Sequence, residues 1–564
     1  MKKLILFTCI IAFFAGVVQS APIIIKLPNT EANRSILSAI PHDPVSEHMR
    51  KDYLEAIIDD STLTAFDTVK GEYEYIPILY AGIDDYPDND ENYAAMLDLA
   101  TRFPNITQLT TIGYSQRQNK PIYMLKISDN AASREDEPVI WIDGMHHARE
   151  PATMVCSMTI ATYLCENYGI NSSATSFVNN LEIYIVPILN PEGYDYFRAT
   201  IDGSWWRKNL RDNNTNNLID LYDGVDLNRN YDSSWNFNSS GSSDPTSLVY
   251  KGPQVWSESE VRAKRDLVLE LHPLAAITYH QYGQIIFYSN GVDGHSVGES
   301  SLITSIAQSI ATSIPKLSSG TYDIGGGYEN EPMSYYWMYQ SAGVFEYLIE
   351  TATSFLPDYT TARSVAQDNL QGAITLLNRC VNGPGIQGII RDSNGNPISA
   401  QVDILQYKND DLGIRISNEE FGRYRRFTTN GTFTLEVVAP GHKTQRITGI
   451  TVNNSWVTVD VQLEEGVDDP DPIVPDTIIA SPNPFTSTVA ITCAYAGSEP
   501  AQLKIFSSHG KLVFTSAPLF TDGLRIAYTW NGTDTKGRRL PSGVYYCTMT
   551  VKNTEYVKKM VLMR

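Results

Sequence analysis

The sequence predicts an α/β domain followed by all-β domains, and three observations predict it. Between about residues 85 and 382, apolar strand patterns such as Ile122-Tyr123-Met124-Leu125-Lys126-Ile127 and Leu181-Glu182-Ile183-Tyr184-Ile185-Val186 alternate with helical patterns, of which Ala152 to Leu164 is one. Alternation of this kind places helices on the faces of a sheet. After Cys380 the texture turns to short strands separated by Gly, Asn and Pro. A stretch around Asp468-Asp469-Pro470-Asp471-Pro472 then divides the β-rich part in two, as an extended linker stiffened by proline and by like charge. At 564 residues the chain exceeds what one hydrophobic core holds and suggests three domains or more.

Taken in order, residues 1–20 run from Met1-Lys2-Lys3 through Leu4-Ile5-Leu6-Phe7 to Val18-Gln19-Ser20, the basic start, apolar centre and small-residue end of a secretory signal. Residues 21–84 are mixed and polar, with helical hints from Ser46 to Ile58, and form an N-terminal segment ahead of the α/β domain. Beyond the signal no run is long and apolar enough to span a bilayer, so no transmembrane segment is expected once it is removed. Of six cysteines, Cys9 lies in the signal; Cys156, Cys165, Cys380, Cys493 and Cys547 remain, an odd number that leaves at least one without a partner in the chain. Cys493 and Cys547, both on predicted strands, are the candidates for a bridge. The net charge of −21 argues against nucleic acid and against anionic membrane surfaces as partners.

Chemistry enters at Gly144-Met145-His146-His147-Ala148-Arg149-Glu150, which follows the apolar run Pro138-Val139-Ile140-Trp141-Ile142 and precedes a helical pattern. A turn from strand to helix brings an imidazole and a carboxylate toward one point, and zinc takes such ligands, commonly three from the protein with a fourth position left for water. His146 and His147 both qualify. A third ligand must come from elsewhere, and His280 in Ala276-Ile277-Thr278-Tyr279-His280-Gln281-Tyr282 fits best, although a lone histidine on an apolar strand is ordinarily a core residue. Between them lie Trp205-Trp206-Arg207-Lys208 and Gly224-Val225-Asp226-Leu227-Asn228-Arg229-Asn230-Tyr231.

This order of motifs, together with Val186-Pro187-Ile188-Leu189-Asn190-Pro191-Glu192-Gly193-Tyr194, Tyr250-Lys251-Gly252-Pro253 and Ser257-Glu258, resembles the zinc metallocarboxypeptidase family over about residues 85 to 380. The resemblance implies a mixed eight-stranded sheet flanked by helices, with one zinc ion at the strand ends. It implies His147, Glu150 and His280 as metal ligands, the two-histidine, one-glutamate set of carboxypeptidase A, because the family's ligand stands immediately before Ala148-Arg149-Glu150. Asp226 then matches the carboxylate that orients His147. Asn228 and Arg229 match a clamp for the substrate's terminal carboxylate, which a planar guanidinium suits. Arg207 matches the group that stabilises the developing oxyanion, and Arg149 a residue lining the substrate groove.

A proton-accepting carboxylate is needed beside the metal. In Gly343-Val344-Phe345-Glu346-Tyr347-Leu348-Ile349-Glu350-Thr351, strand periodicity puts Glu346 and Glu350 on one face and does not choose between them; the family motif, with Trp337 upstream, selects Glu350 as general base. For the family's mobile tyrosine, ungapped matching from Trp337 gives Tyr328, whereas the glycines of Ile324-Gly325-Gly326-Gly327 favour Tyr322. Glu329 and Glu331 would suit a basic terminal residue, while ungapped matching puts Tyr335 at the pocket floor.

Residues 383–465, with Ile386-Gln387-Gly388-Ile389-Ile390-Arg391 and Ala439-Pro440-Gly441-His442, resemble the transthyretin-like sandwich that follows many such catalytic domains. Beyond the linker at 466–475, residues 476–564, with Ala480-Ser481-Pro482-Asn483-Pro484-Phe485 and Ser542-Gly543-Val544-Tyr545-Tyr546, resemble the C-terminal sorting domain of bacterial type IX secretion. The expected partners are therefore peptide or protein C-termini and the type IX machinery, and the expected place is the cell surface or the medium. Rival readings are a cell-wall peptide hydrolase of the same family and a non-catalytic surface binding protein.

Overall fold

The computed structural model describes residues 22–37, 43–44, 53–59, 74–76 and 82–563, the last stretch interrupted at 201–204, 234–240, 293–294, 328–331, 409–414, 467–477, 482, 484, 495–499, 508–510, 520–524 and 552–553. The signal at 1–20, Tyr328, Glu329, Glu331 and nearly all of the linker at 466–475 lie outside the described residues.

The N-terminal segment forms a four-stranded antiparallel sheet from β1 (Pro22–Pro28), β2 (Asp43–Pro44), β3 (Tyr53–Asp59) and β4 (Glu74–Ile76), with helix α1 (Glu31–Leu37). The helical hint from Ser46 to Ile58 is overturned over Tyr53 to Ile58, and its part at 46–52 lies outside the described residues. Tyr53-Leu54-Glu55-Ala56-Ile57-Ile58 alternates about the pleat, pairs in register with β1 and buries Leu54 and Ala56, so tertiary pairing overrides the local pattern.

The α/β domain comprises α2 (Asn89–Arg102), β5 (Thr107–Tyr114), β6 (Pro121–Ile127), β7 (Val139–Asp143), α3 (Ala152–Asn167), α4 (Ser172–Val178), β8 (Glu182–Val186), α5 (Pro191–Thr200), α6 (Ser259–Leu271), β9 (Ala275–Gln281), β10 (Ile285–Ser289), short β11 (Gly291–Val292) and β12 (His295–Ser296), α7 (Ser300–Ser313), β13 (Asp323–Gly327), α8 (Ser334–Gln340), β14 (Phe345–Thr351) and α9 (Tyr359–Asn382). Its sheet has eight strands in the order β13-β10-β14-β9-β7-β8-β6-β5. The four central strands run parallel and the pairs β10–β14, β6–β8 and β5–β6 antiparallel, which makes the sheet mixed. Every residue of β7, β8, β9 and β14 is buried, as expected for parallel strands covered on both faces.

Period-two alternation sorts the side chains of these strands. Ile140, Ile142, Ile277, Tyr347 and Ile349 enter the core beneath α3, α7 and α9. The opposite face carries Trp141 and Asp143, then Thr278 and His280, then Glu346 and Glu350. Asp143, His280, Glu346 and Glu350, the ionisable groups near the centre of these strands, therefore share one face.

Two β-sandwiches follow. The first has one sheet ordered β17-β15-β20, with β21 also pairing β15, and another ordered β16-β18-β19, from β15 (Gly385–Arg391), β16 (Gln401–Ile404), β17 (Arg423–Phe427), β18 (Gly431–Val438), β19 (Gln445–Val452), β20 (Trp456–Thr458) and β21 (Val461–Gln462). Ile386, Tyr424, Phe427 and Leu435 belong to the same continuous apolar core as Ile142 and Leu377 of the α/β domain. Arg423 and Arg425 reach Asp136; Arg415 and Arg426 pair with fully buried Glu299, which also accepts from the Tyr339 hydroxyl at 2.9 Å. A cavity of about 260 Å³ remains at this seam, lined in part by Arg134, Glu137, His272, Arg423 and Arg425.

The second sandwich, from β22 (Ile478–Ser481), β23 (Val489–Ala494), β24 (Gln502–Ser507), β25 (Leu512–Thr515), β26 (Arg525–Trp530), β27 (Gly543–Val551) and β28 (Thr554–Leu562), pairs β22-β23-β26 and β25-β24-β27-β28. Its core, around Trp530, Phe485, Leu503 and Met560, is separate. The candidate Cys493–Cys547 bridge is not formed: the five described cysteines are buried and outside any disulfide, and these two fill the core as small side chains from different sheets. No helix among the described residues is long and apolar enough to cross a membrane.

Candidate active site

Strand β7 ends at Asp143, and the chain must turn at once toward α3. Gly144 permits this, since a Cβ there would lie 2.9 Å from the Thr153 carbonyl oxygen. The turn that follows presents His147 and Glu150. His147 Nδ1 lies 2.8 Å from Glu150 Oε1 and 3.1 Å from His280 Nδ1, and His280 Nδ1 lies 3.4 Å from Glu150 Oε2. These three buried groups bring one ligand atom each within 4.8 Å of one another.

The protonation pattern suits a cation. His147 Nε2 is 3.2 Å from Asp226 Oδ1, and a carboxylate there fixes the ring hydrogen on Nε2, leaving Nδ1 as a lone pair. Burial lowers the His280 pKa to about 4, so this ring is neutral. Two imidazole nitrogens facing each other at 3.1 Å beside a carboxylate call for a positive charge between them. The Gln281 backbone N–H donates to Glu150 Oε2 at 3.1 Å. The donor set fits zinc, as three protein ligands with a side left open.

His146 is turned away. Its Nε2 lies 2.8 Å from the Tyr231 hydroxyl, its Nδ1 3.4 Å from Thr278 Oγ1, and its ring stacks on His280 at 5.1 Å between centroids. Burial, then the neighbouring Lys264, push its pKa well below the ordinary value. It packs against His280 instead of joining the cluster of His147, Glu150 and His280.

The polar loops around these three residues are built by the motifs that surround them in sequence. Arg207 donates through Nε to Asp226 Oδ2 at 3.0 Å, with NH1 3.8 Å from Glu150 Oε1, and its carbonyl accepts from Ala148 N–H at 3.0 Å. Burial alone would raise Asp226, but Arg207, His147 and Arg229 keep it well below the usual carboxylate range. Asn228 and Arg229 sit in a 3-10 turn, Leu227–Arg229, capped by Asp226. Asn230 fixes that turn through Nδ2 to the carbonyls of Lys251 and Gln254, and its Oδ1 accepts from Glu258 N–H. Asn190 Nδ2 donates to the carbonyls of His146 and Lys208.

Glu350 pairs in register with His280 across β14 and β9. It is buried with Oε2 lacking a hydrogen-bond partner among the described residues. Burial and the nearby Glu150 charge raise its pKa well above the ordinary value, while Arg207 and Arg229 oppose that rise. Glu346 is engaged elsewhere: its Oε1 is 2.8 Å from Lys264 Nζ and its Oε2 accepts from Ser334 Oγ at 2.6 Å. Of the two carboxylates that periodicity leaves equivalent, Glu346 is the one paired with a lysine on α6.

Arg149 is fully buried, stacked over Phe355 at 4.5 Å and donating to the Trp205 carbonyl. Tyr322 is a core residue whose hydroxyl accepts from Asn369 Nδ2 at 3.0 Å. Tyr335 is buried in an apolar cluster with Ile285, Phe287, Met333, Tyr336 and Leu348. Lys264 and Ser334 are absent from the expected set. The signal for Lys264 was present, since it sits on the helical stripe of Val261, Val268 and Leu271, where a charge requires a buried partner.

A zinc carboxypeptidase family model matches residues 92–372, and a secretion system C-terminal sorting domain model matches residues 481–563. Carboxypeptidase A2 of Rattus norvegicus is 31% identical over 242 residues, covering 43% of this chain and 55% of that protein, so the chain spans about half of this relative's length. Carboxypeptidase B of Astacus astacus is 30% identical over 244 residues, covering 43% of this chain and 76% of that protein. In fold the chain is similar to carboxypeptidase A from Helicoverpa armigera, with a TM-score of 0.56 at 19% identity over 64% of this chain and 98% of that one. On the family match, the relatives and the shared fold, the chain belongs to the zinc carboxypeptidase family, with a type IX secretion C-terminal sorting domain over residues 481–563.

Proposed function

We propose that this chain is an exported carboxypeptidase that hydrolyses the last peptide bond of peptides and proteins, with His147, Glu150 and His280 holding one zinc ion and Glu350 acting as general base. One observation carries the reading: three neutral or anionic donor atoms converge within 4.8 Å, with Glu350 paired to His280 on the next strand. Zinc held there would lower the pKa of a bound water and polarise the scissile carbonyl. Glu350 accepts the proton of the attacking water and passes it to the departing amine, a role its raised pKa suits. Arg207, held by Asp226, stabilises the oxygen on which negative charge develops. Asn228 and Arg229 hold the terminal carboxylate, so that only the end bond is presented.

The apolar cluster on the Glu350 face of the sheet, with Tyr335, favours an uncharged terminal residue over a basic one. Tyr328 is the proposed mobile tyrosine and residues 21–84 the proposed leader. The first sandwich is proposed as transthyretin-like, and export as signal-directed passage followed by type IX release or anchoring at the cell surface.

The test is the purified protein with and without a chelator, on N-blocked peptides differing in their last residue. Hydrolysis that needs the metal, prefers uncharged ends and falls about 10²- to 10⁴-fold in Glu350→Gln with zinc retained is the expected result. Full activity of that variant would remove Glu350 from the mechanism.

A further inference from the structure

Beneath the site lies a buried cation with no part in the steps above. Lys264 Nζ is 2.6 Å from Asp143 Oδ2 and 2.8 Å from Glu346 Oε1, and donates to Ser334 Oγ at 2.7 Å. Burial alone would lower its pKa, but Asp143 and Glu346 raise it above the ordinary lysine value, so the cation persists. Ser334 in turn donates its hydroxyl to Glu346 Oε2 at 2.6 Å. The serine is therefore gripped from two sides by an ion pair that spans α6 and β14. Buried carboxylates gathered around one lysine are costly to separate, and the joint between them is correspondingly stiff.

Ser334 is the first residue of α8, so its backbone N–H has no acceptor within the helix. It donates to Asn228 Oδ1 at 2.9 Å. A backbone N–H can only donate, so the Asn228 atom that faces α8 must be the amide oxygen. The amide's NH₂ is thereby turned away from the helix, and its two donors are left for a ligand that only accepts, as a carboxylate does. An asparagine without this restraint could present either end.

We propose that Ser334, gripped by Lys264 and Glu346, is a positioning residue for substrate binding: its N–H sets the Asn228 amide so that it donates to the substrate's terminal carboxylate. The inference rests on the reading of Asn228 as part of the carboxylate clamp.

Proline is at home in the first position of a helix, and Met333, extended at φ −105° and ψ 156°, suits the residue before one. Ser334→Pro therefore deletes the N–H and the hydroxyl, whereas Ser334→Ala deletes the hydroxyl alone. In the full-length zinc-loaded enzyme, Ser334→Pro is expected to raise KM about tenfold over Ser334→Ala, with kcat within about threefold. On an Asn228→Ala background the two should share one KM, a coupling that a merely structural residue would not produce. Equal KM values for the two variants with Asn228 intact, or a loss confined to kcat, would overturn the proposal. An unchanged KM in Asn228→Ala alone would instead remove the clamp reading and the proposal with it. Should Ser334→Pro not fold, Glu346→Gln keeps the Lys264–Asp143 pair and, with its amide oxygen facing the Lys264 ammonium, puts an NH₂ where the Ser334 hydroxyl had its acceptor. It is expected to raise KM about threefold with Asn228 present and not at all in its absence, and equal effects on both backgrounds would overturn the proposal.

Discussion

The two β-sandwiches are similar in size and strand content and differ in how they are held. The first, β15–β21, continues the apolar core of the α/β domain and places Arg415, Arg423, Arg425 and Arg426 against Asp136 and Glu299 of that domain. The second, β22–β28, closes a core of its own around Trp530. A domain whose core is shared contributes to the stability of its neighbour, and one whose core is private need not. The contrast suits their proposed uses, since a sorting domain that is read and then removed must leave without disturbing the enzyme.

The largest effect that would test this comparison is truncation. A chain ending at residue 466 is expected to remain soluble and to keep at least half of the hydrolytic activity, whereas one ending at residue 382 uncovers part of a continuous core and is expected to lose soluble yield and activity. Equal behaviour of the two would break the comparison.

Single substitutions sharpen it. Glu299→Ala leaves Arg415 and Arg426 facing an empty buried site and is expected to destabilise the α/β domain and first sandwich together by about 3–5 kcal/mol. Trp530→Ala is expected to cost a similar amount, about 3–5 kcal/mol, in the second sandwich alone. Denaturant unfolding, followed by activity and by fluorescence, should separate the two transitions. A loss of activity that tracks the Trp530→Ala transition would sink the idea of a private core.

A smaller effect belongs to the seam itself. Burial, with Glu135, Asp129 and Glu182 nearby, raises the Glu137 pKa to about 7, against the pull of Arg425. A carboxyl raised in the folded state costs stability as pH rises from its unfolded value near 4.5 through about 7, because the unfolded chain releases the proton first. Glu137 is half-exposed, so after solvent screening the cost at pH 8 is on the order of 1 kcal/mol. Glu137→Gln should therefore raise the melting temperature at pH 8 and leave it unchanged at pH 4. No difference between the two pH values would show that the seam does not feel this charge.

Much of the α/β sheet and of the candidate site was legible because it is written in contiguous motifs. Gly144 to Glu150, Trp205 to Lys208 and Gly224 to Tyr231 are each a short contiguous segment, and the residues they present do meet. What was not legible depends on contacts between distant segments. Glu346 and Glu350 are equivalent by periodicity, and only Lys264, some eighty residues earlier, tells them apart. Tyr322 reads as a candidate at the surface of the groove until Asn369 of α9 is found across from it. Residues 53–59 lose their helical hint because β1 offers a partner. The groove's tyrosine and the side of the pocket that would select a terminal residue fall in the least motif-like stretch of the chain.

The register of β14 on β9 has a consequence of its own. Glu350 and His280 occupy facing rungs of a parallel ladder, so the spacing between the proposed proton carrier and a proposed metal ligand is set by the backbone, at the roughly 4.8 Å that separates neighbouring strands. Such a spacing acts as a ruler that side-chain repacking elsewhere does not reset. A slip of one residue would turn Glu350 through the sheet to its opposite face. Peripheral loops can therefore change in sequence and shape while the separation of these two residues stays fixed by the ladder.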